Sequence, residues 1–259
     1  MAPRLERLWR IVATGICFTV FGVGGVILRL AVFPLVRLFW RPGDRRAQIT
    51  KTIVSHTLAV FVWFMQTMGV MSYSITGRDK LHRQGLLILA NHPTLIDVVF
   101  LISLVARPDC VVKASLARNP FTRGPVQSAG FVCNDAGAEA LIERCIHSVR
   151  AGNHLIIFPE GTRTPVGGSV RLQRGAANVA VRGRLDITPV TIHCSTPFLT
   201  KGVPWYRVPP HRPHITITVQ DDLPIQHFIA PNDGEALAAR RLTQHLSEYF
   251  FPEAARASA

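Results

Sequence analysis

A histidine and an aspartate five positions apart, His92 and Asp97, are the side chains best suited to catalysis in this sequence. They lie in the polar segment Asn91–Asp97, directly after an apolar run that predicts a β-strand. If a helix begins near Pro93, the ring of His92 can fold back and donate an N–H to Asp97, which fixes the tautomer. The other ring nitrogen is then free to act as a general base. Since no serine nucleophile motif accompanies the pair, we expect a substrate hydroxyl to be the attacking group. Taken alone, a His and an Asp at this spacing are more often a helix-capping arrangement than a catalytic pair.

A second polar segment, Phe158–Arg163, follows another strong apolar run, His154–Phe158. Gly161 permits a close approach of the backbone, and the planar guanidinium of Arg163 suits a phosphate. An ion pair between Glu160 and Arg163 is an equally simple interpretation. By itself this segment would be a surface turn.

Together the two segments are far more specific. The pattern Asn-His-x4-Asp, followed about sixty residues later by Phe-Pro-Glu-Gly-Thr-Arg, resembles the glycerolipid acyltransferase family, typified in bacteria by 1-acylglycerol-3-phosphate acyltransferase. The resemblance covers roughly residues 75–195. It includes further family-like segments in the expected order: Lys113 with Asn119–Phe121, Gly124 and Gly130–Val132; Arg174–Ala176; and Ile187–Val190.

The resemblance implies transfer of a fatty acyl group from acyl-CoA or acyl carrier protein to the hydroxyl of a lysolipid. His92 would be the general base and Asp97 would orient it. Lys113, or nearby backbone N–H groups, would stabilise the developing oxyanion. The acceptor's phosphate or polar head would be bound by Glu160, Gly161, Thr162 and Arg163. We expect no metal and no cofactor beyond the acyl thioester as co-substrate.

One position departs from the family pattern. The second family motif commonly ends with an Arg thought to bind glycerol phosphate, whereas this chain has Cys133-Asn134-Asp135. An Asp is unfavourable beside a phosphate dianion unless it caps the following helix, which is what we predict for Asp135. The acceptor could therefore be another lysolipid or an aminolipid precursor. Thr164 replaces the usual Ser and keeps the hydroxyl.

The elements around these segments alternate between short apolar runs and helical patterns, which predicts an α/β fold with a mostly parallel sheet flanked by helices. Predicted strands are Leu86–Ala90, Cys110–Ala114, His154–Phe158, Ile187–Ile192 and Ile215–Val219. One helix is expected from about Asn134 or Asp135 to Gly152, and another from about Asp233 to Tyr249. We place an acyltransferase domain at residues 78–259 and a membrane-anchoring helical segment at residues 1–77.

The N-terminal segment combines charge with long apolar runs. Of a net charge of +13 over 259 residues, nine cations and two anions in residues 1–51 contribute +7. The uncharged run Ile11–Leu28, of 18 residues, lies between these charges, and a second uncharged run, Thr52–Gly77, of 26 residues, directly follows them. The first is long enough to span a membrane or dip into it. A signal peptide is less favoured because no Ala-x-Ala-like site follows. Cations between the two runs disfavour a two-span hairpin. The second run is predicted to lie in the interface, pack on the body or form a buried helix.

We therefore expect a protein of a bacterial inner membrane with a cytoplasmic catalytic domain and a membrane lipid as partner. A thioesterase, and a non-catalytic protein that binds anionic lipid or nucleic acid, are the alternatives; no specific nucleic acid is expected. Arg118 and Arg123 could dock an acidic carrier protein or face lipid headgroups, and the second is slightly favoured. The five cysteines show no metal or disulfide spacing. The sequence leaves the oligomeric state open.

Overall fold

The computed structural model describes residues 3–135, 137–165, 170–230 and 234–252. In these residues, seven strands form one sheet in the order β1-β7-β6-β2-β5-β3-β4. All neighbouring strands are parallel except β6 and β7. The strands are β1 (Ser72–Thr76), β2 (Leu87–Ala90), β3 (Pro108–Lys113), β4 (Val132–Asn134), β5 (His154–Ile157), β6 (Ile187–Cys194) and β7 (His214–Val219).

Helices cover both faces of this sheet. They are α1 (Pro3–Ile27), α2 (Phe33–Phe39), α3 (Asp44–Thr67), α4 (Asp97–Leu104), α5 (Ala114–Arg118), α6 (Arg123–Ala129), α7 (Ala138–Arg150), α8 (Gly175–Gly183) and α9 (Glu235–Phe250). A π-helical turn (Leu28–Val32) joins α1 to α2, and short 3-10 helices occupy Arg78–His82 and Ile225–Phe228. The predicted fold class, an α/β fold with a mostly parallel sheet flanked by helices, is confirmed.

Two apolar cores lie on the two faces of the sheet. Every residue of β2 is buried, as expected for a central parallel strand covered on both faces. Ile88 and Ala90 belong to the core beneath α3 and α4, whereas Leu87 and Leu89 belong to the core beneath α7, α8 and α9. The polar segment Asn91–Asp97 therefore follows a fully buried strand.

All five predicted strands are present, with ends shifted by one or two residues. The sequence analysis missed β4 and also β1, which pairs with β7 and so enters the sheet before residue 78. The helix predicted to end near Tyr249 is α9; its predicted start, Asp233, lies outside the described residues.

The apolar N-terminal helix is continuous from Arg4 to Phe39 and is long and apolar enough to cross a membrane. The π turn has a local cause. Pro34 has no N–H to donate to the carbonyl four residues earlier, so the regular ladder is interrupted just before it. Large apolar side chains on one face are exposed at helical spacing: Leu5, Leu8, Val12, Ile16, Val23, Ile27 and Leu30.

The opposite face of this helix lies against the body along its whole length. Near its start, the Trp9 indole donates to the carbonyl oxygen of Met68 at 3.0 Å. Near its middle, a Cβ at Gly25 would overlap the carbonyl oxygen of Phe121. Near its end, Arg37 approaches the hydroxyl of Ser128 at 3.4 Å. The helix therefore does not project away from the catalytic domain.

Helix α3 accounts for most of the second uncharged run and packs on the body. Ser55 donates to the carbonyl of Val105 at 2.9 Å. Lys51 forms a buried ion pair with Asp109 at 3.2 Å, and Ser148 donates to the same carboxylate oxygen at 2.6 Å. The outer face of α3 still exposes apolar side chains such as Trp63. Of the alternatives left open for this run, packing on the body is the one observed.

Candidate active site

The two polar segments singled out in the sequence meet at the carboxyl ends of neighbouring strands. Because β2 and β5 are parallel and adjacent, the loops that follow them emerge at the same edge of the sheet. The backbone N–H of His92 donates to Oε1 of Glu160 at 2.7 Å, and the N–H of Thr164 donates to the His92 carbonyl at 2.7 Å. The second loop thus holds the backbone of His92 on both sides.

The hydrogen bond expected within the first segment is present. Nδ1 of His92 lies 2.8 Å from Oδ2 of Asp97, the first residue of α4. Asp97 is completely buried. It also accepts hydrogen bonds from the backbone N–H and the hydroxyl of Thr94. The same carboxylate therefore closes the turn into α4 and orients the imidazole, so capping and orientation are compatible.

The surroundings of Asp97 act on its carboxyl in two opposite directions. Burial raises the pKa of the Asp97 carboxyl above its usual value, and the hydrogen bonds from His92 and Thr94 oppose that shift. Because an ionised carboxylate can only accept hydrogen bonds, the ionised form of Asp97 pairs with the His92 tautomer that carries its proton on Nδ1. The His92 ring also stacks on Phe158, with 4.2 Å between ring centres and 27° between planes. These contacts hold the ring with Nε2 available for a substrate.

Glu160 is buried, and one of its carboxylate oxygens is bonded to the backbone and side chain of nearby residues. This oxygen, Oε1, accepts hydrogen bonds from the His92 N–H and, at 3.0 Å, from the Thr164 hydroxyl. Thr164 therefore uses the hydroxyl that it shares with the usual Ser. The other oxygen, Oε2, has no hydrogen-bond partner among the described residues. Burial raises the pKa of the Glu160 carboxyl, and the hydrogen bonds from His92 and Thr164 oppose the shift. Glu160 is thus placed to position the histidine.

Arg163 supports a neighbouring loop through its Nη1 group. That nitrogen donates to the carbonyls of Leu199 and Thr200 at 2.9 and 3.1 Å. The alternative ion pair with Glu160 is absent from the ion pairs of the described residues. Leu199 has φ of +52°, an unfavourable backbone conformation for a leucine that its surroundings must stabilise.

The remaining predicted residues of this loop differ in their surroundings. Gly161 has φ of +64° and closes a tight turn, with its N–H bonded to Phe158 O at 3.0 Å. This left-handed conformation is one that glycine adopts without strain. Thr162 is half-buried. Lys113 is exposed at the end of β3, which is separated from β2 by β5. Its backbone therefore lies about 10 Å from that of Asn91, judged from the usual strand spacing.

The predicted capping role of Asp135 is wrong. Helix α7 begins at Ala138 after Gly137, and no side chain caps it. Asp135 instead accepts from Arg144 at 3.1 Å, and the same Arg144 nitrogen donates to the carbonyl of Cys133 at 2.7 Å. A guanidinium therefore does reach the segment where the family motif has its arginine, but it comes from the next helix and is paired with a carboxylate.

A large apolar cavity of about 330 Å³ lies on the α3 and α4 face of the sheet. Its walls come from α1, α3, α4 and the segment containing Phe121 and Phe131. Val98 and Val99, which directly follow Asp97, form part of the wall, so the cavity lies close to the catalytic pair. Gly24 also lines it, and a Cβ built there meets no heavy atom within 4 Å.

Some site residues were missed in the sequence. The Asn91 amide pairs with the backbone of Ile192 in both directions, at 2.7 and 2.8 Å, and so fixes the end of β2 against β6. Thr94 supports Asp97, and Phe158 supports the ring of His92. Their positions inside the two motifs were the available signal. Among the residues that the structure describes, no group of three His, Cys, Asp or Glu side chains is arranged to hold a metal.

Several known proteins resemble this chain in sequence or in fold. A family model described as Acyltransferase matches residues 72–193. The chain is 27% identical over 135 residues to a 1-acyl-sn-glycerol-3-phosphate acyltransferase of Borreliella burgdorferi, covering 50% of this chain and 54% of the relative. It is 27% identical over 151 residues to a lyso-ornithine lipid O-acyltransferase of Pseudomonas aeruginosa, covering 57% of this chain and 56% of the relative. The chain thus spans about half the length of these relatives.

The fold resembles that of a solved structure along nearly its whole length. The crystal structure of the 1-acyl-sn-glycerophosphate acyltransferase PlsC from Thermotoga maritima superposes with a TM-score of 0.65 at 18% identity. The match covers 95% of this chain and 97% of that chain. The N-terminal helices are therefore included in the shared fold.

Proposed function

Since the chain belongs to the glycerolipid acyltransferase family, we propose that it is a membrane-bound enzyme that transfers a fatty acyl group from a thioester to the hydroxyl of a lysolipid. The observation that carries the proposal is the hydrogen bond between His92 and the buried Asp97, beside an apolar cavity. This places a general base next to a volume suited to a hydrocarbon chain. No protein nucleophile is needed, because the acceptor hydroxyl is the attacking group.

The proposed reaction follows from the positions of these groups. Nε2 of His92 takes the proton of the acceptor hydroxyl as its oxygen attacks the thioester carbonyl. The imidazolium formed is stabilised by Asp97, which accepts its Nδ1–H. When the tetrahedral intermediate collapses, the C–S bond breaks and the thiolate leaves, taking the proton from His92. The ester product and a free thiol balance the reaction, and no metal or further cofactor takes part.

The apolar cavity is the proposed site of the donor's acyl chain. Its lining is almost entirely hydrocarbon and aromatic, and it begins beside Val98 at the start of α4. A chain in this cavity would place its carbonyl end towards Asp97 and His92. α1 and α3, whose outer faces expose apolar side chains, form part of the cavity wall.

The acceptor is a lysolipid whose polar head lies near the second loop. A glycerol-phosphate head and an ornithine head are the two candidates, because relatives of both kinds align with this chain. Glu160 holds the backbone of His92, and a carboxylate would repel a phosphate. We therefore assign Glu160 to positioning of His92. Thr162 and the guanidinium nitrogens of Arg163 other than Nη1 are the proposed contacts of the acceptor head.

We further propose that the N-terminal helix lies in the plane of one membrane leaflet. A helix crossing the bilayer would leave the body after a few turns, whereas this one contacts the body from Trp9 to Arg37. Its exposed apolar face is that of an interfacial anchor. Cysteines introduced at Leu8 and Leu38, both exposed, should resist a membrane-impermeant thiol reagent added outside intact cells. Labelling of only one of the two would indicate a spanning helix instead.

The catalytic proposal is tested by substitution of the base. Purified His92→Ala, assayed in lipid vesicles with palmitoyl-CoA and 1-acylglycerol-3-phosphate or lyso-ornithine lipid, should lose activity by about 10²- to 10⁴-fold. Asp97→Asn should also impair turnover. His227→Ala, at an exposed histidine far from the pair in sequence, is the matched control and should retain full activity. Near wild-type acyl transfer by His92→Ala would refute the mechanism, and thioester hydrolysis that ignores the acceptor would favour a thioesterase.

A further inference from the structure

A basic cleft of about 850 Å³ lies on the face of the sheet opposite the membrane helices. One wall is the segment 170–174, which precedes α8, and the other is a face of α9. On α9 the lining residues Arg240, Thr243, Gln244 and Ser247 recur at helical spacing, so they point in one direction. The cleft is therefore built from two elements that are far apart in sequence.

Three arginines line this cleft without a counter-ion. Arg171, Arg174 and Arg240 are exposed, and their guanidinium groups form no hydrogen bond or ion pair with any residue that the structure describes. By contrast, Arg182, on the next helix, pairs with two glutamates. Three unpaired guanidinium groups around one concavity repel one another, and that repulsion is relieved when an anion binds.

The cleft is connected to the catalytic loop through a short path. The N–H of Gln173, in the cleft wall, donates to the carbonyl of Pro159 at 2.7 Å. The next residue, Glu160, accepts from the backbone of His92. A ligand in the cleft thus contacts a segment that is hydrogen-bonded to the loop that holds His92.

From these observations we propose that this cleft binds the phosphorylated nucleotide end of an acyl-CoA donor. The proposal rests on the proposed function, since it needs a thioester at His92. If the acyl chain occupies the apolar cavity on one face of the sheet and the thioester lies at His92, the nucleotide end of the donor must extend away from that cavity. The arginine cleft lies on the other face, beside the same loop.

The shape of the cleft favours coenzyme A over a carrier protein. A concavity of several hundred Å³ is the size that encloses a small molecule, whereas a carrier protein would dock through a broad charged surface. Coenzyme A carries a pyrophosphate and a 3′-phosphate, for which guanidinium groups are well suited. Guanidinium planes also stack on aromatic rings such as adenine.

The first test measures binding without turnover. Titration of the full-length protein in detergent with coenzyme A should give an affinity that falls about tenfold in Arg171→Gln/Arg240→Gln. Arg171→Lys/Arg240→Lys, which keeps the charge, should lose less. Arg78→Gln removes an equally exposed arginine outside the cleft and should bind like the wild type. Unchanged affinity in the Gln double variant would overturn the proposal even if the enzyme is an acyltransferase.

The second test separates the cleft from the catalytic site. In the Gln double variant, KM for palmitoyl-CoA should rise about tenfold with kcat nearly unchanged, while KM for S-palmitoyl-pantetheine, which lacks phosphates, should not change. A higher KM for palmitoyl-acyl carrier protein, with coenzyme A binding unaffected, would assign the cleft to a protein donor and contradict the proposal. If the wild type binds coenzyme A but transfers no acyl group, the proposed function is refuted, whereas the assignment of the cleft to coenzyme A is supported.

Discussion

Gly24→Leu is the sharpest test of the assignment of the apolar cavity to the acyl chain. Gly24 lines the cavity, and a Cβ there meets no heavy atom within 4 Å. The leucine side chain can therefore enter the cavity without displacing the protein. Replacing a helical glycine also favours the helix by about 1 kcal/mol, so a loss of activity would not be due to unfolding.

The size of the effect follows from the room that the leucine occupies. Its four side-chain carbons fill space that would otherwise hold about four methylenes of the donor, each worth about 0.8 kcal/mol when buried. Long chains should therefore lose about 3 kcal/mol relative to chains four carbons shorter, which is about 100-fold in selectivity.

The assay compares kcat/KM for lauroyl-CoA and palmitoyl-CoA with one acceptor in lipid vesicles. Gly24→Leu should move the preference towards lauroyl-CoA, whereas Val23→Leu, on the exposed neighbouring position, should leave it unchanged. An unchanged preference in Gly24→Leu, or an equal shift in the control, would refute the assignment of this cavity to the acyl chain.

Three further outcomes follow from single contacts. Thr94→Val leaves a buried oxygen of Asp97 without its hydroxyl donor, so activity should fall about tenfold; Thr94→Ser, which keeps the hydroxyl, should be close to wild type in the same acyl-transfer assay. His154 is buried and desolvation lowers its pKa, so the unfolded chain binds more protons and stability should fall as pH drops below about 6.5, the ordinary value. Thermal unfolding in detergent at pH 7.5 and 5.5 should show a smaller pH dependence for His154→Gln; an equal dependence would show that another group is responsible. Lys51→Met leaves the buried carboxylate of Asp109 without its cation and should destabilise the protein by about 3 kcal/mol in urea unfolding; little change would mean that Ser148 alone satisfies the carboxylate.

Much of the sheet could be predicted because its central strands are short, mostly apolar runs bounded by polar loops. β1 was missed because Ser72–Thr76 continues the uncharged run that begins at Thr52, within α3. β4 was missed because it has only three residues, too few to show a period. A strand is therefore hard to predict both when it is part of a much longer uncharged run and when it is too short to show a period.

The hydrogen bond between His92 and Asp97 could be predicted because it joins residues five positions apart. The supporting contacts join residues far apart in sequence: Glu160 to the backbone of His92, and Arg163 to the carbonyl of Leu199. No local pattern reveals such contacts, so the loop residues were assigned to the acceptor from the family resemblance and the chemistry of their side chains. The apolar N-terminal helix shows the same limit, because its apolar run predicts an anchor but does not predict the contacts along the body.

The most direct test of the proposed reaction is the stoichiometry of thiol release and lipid product. With purified protein, palmitoyl-CoA and a lysolipid acceptor, each mole of free coenzyme A should accompany one mole of diacylated lipid detected by mass spectrometry. Without acceptor, thiol release should nearly stop, and His92→Ala should lower both signals together. Thiol release that continues without acceptor, or diacylated product formed at the wild-type rate by His92→Ala, would contradict acyl transfer by this histidine.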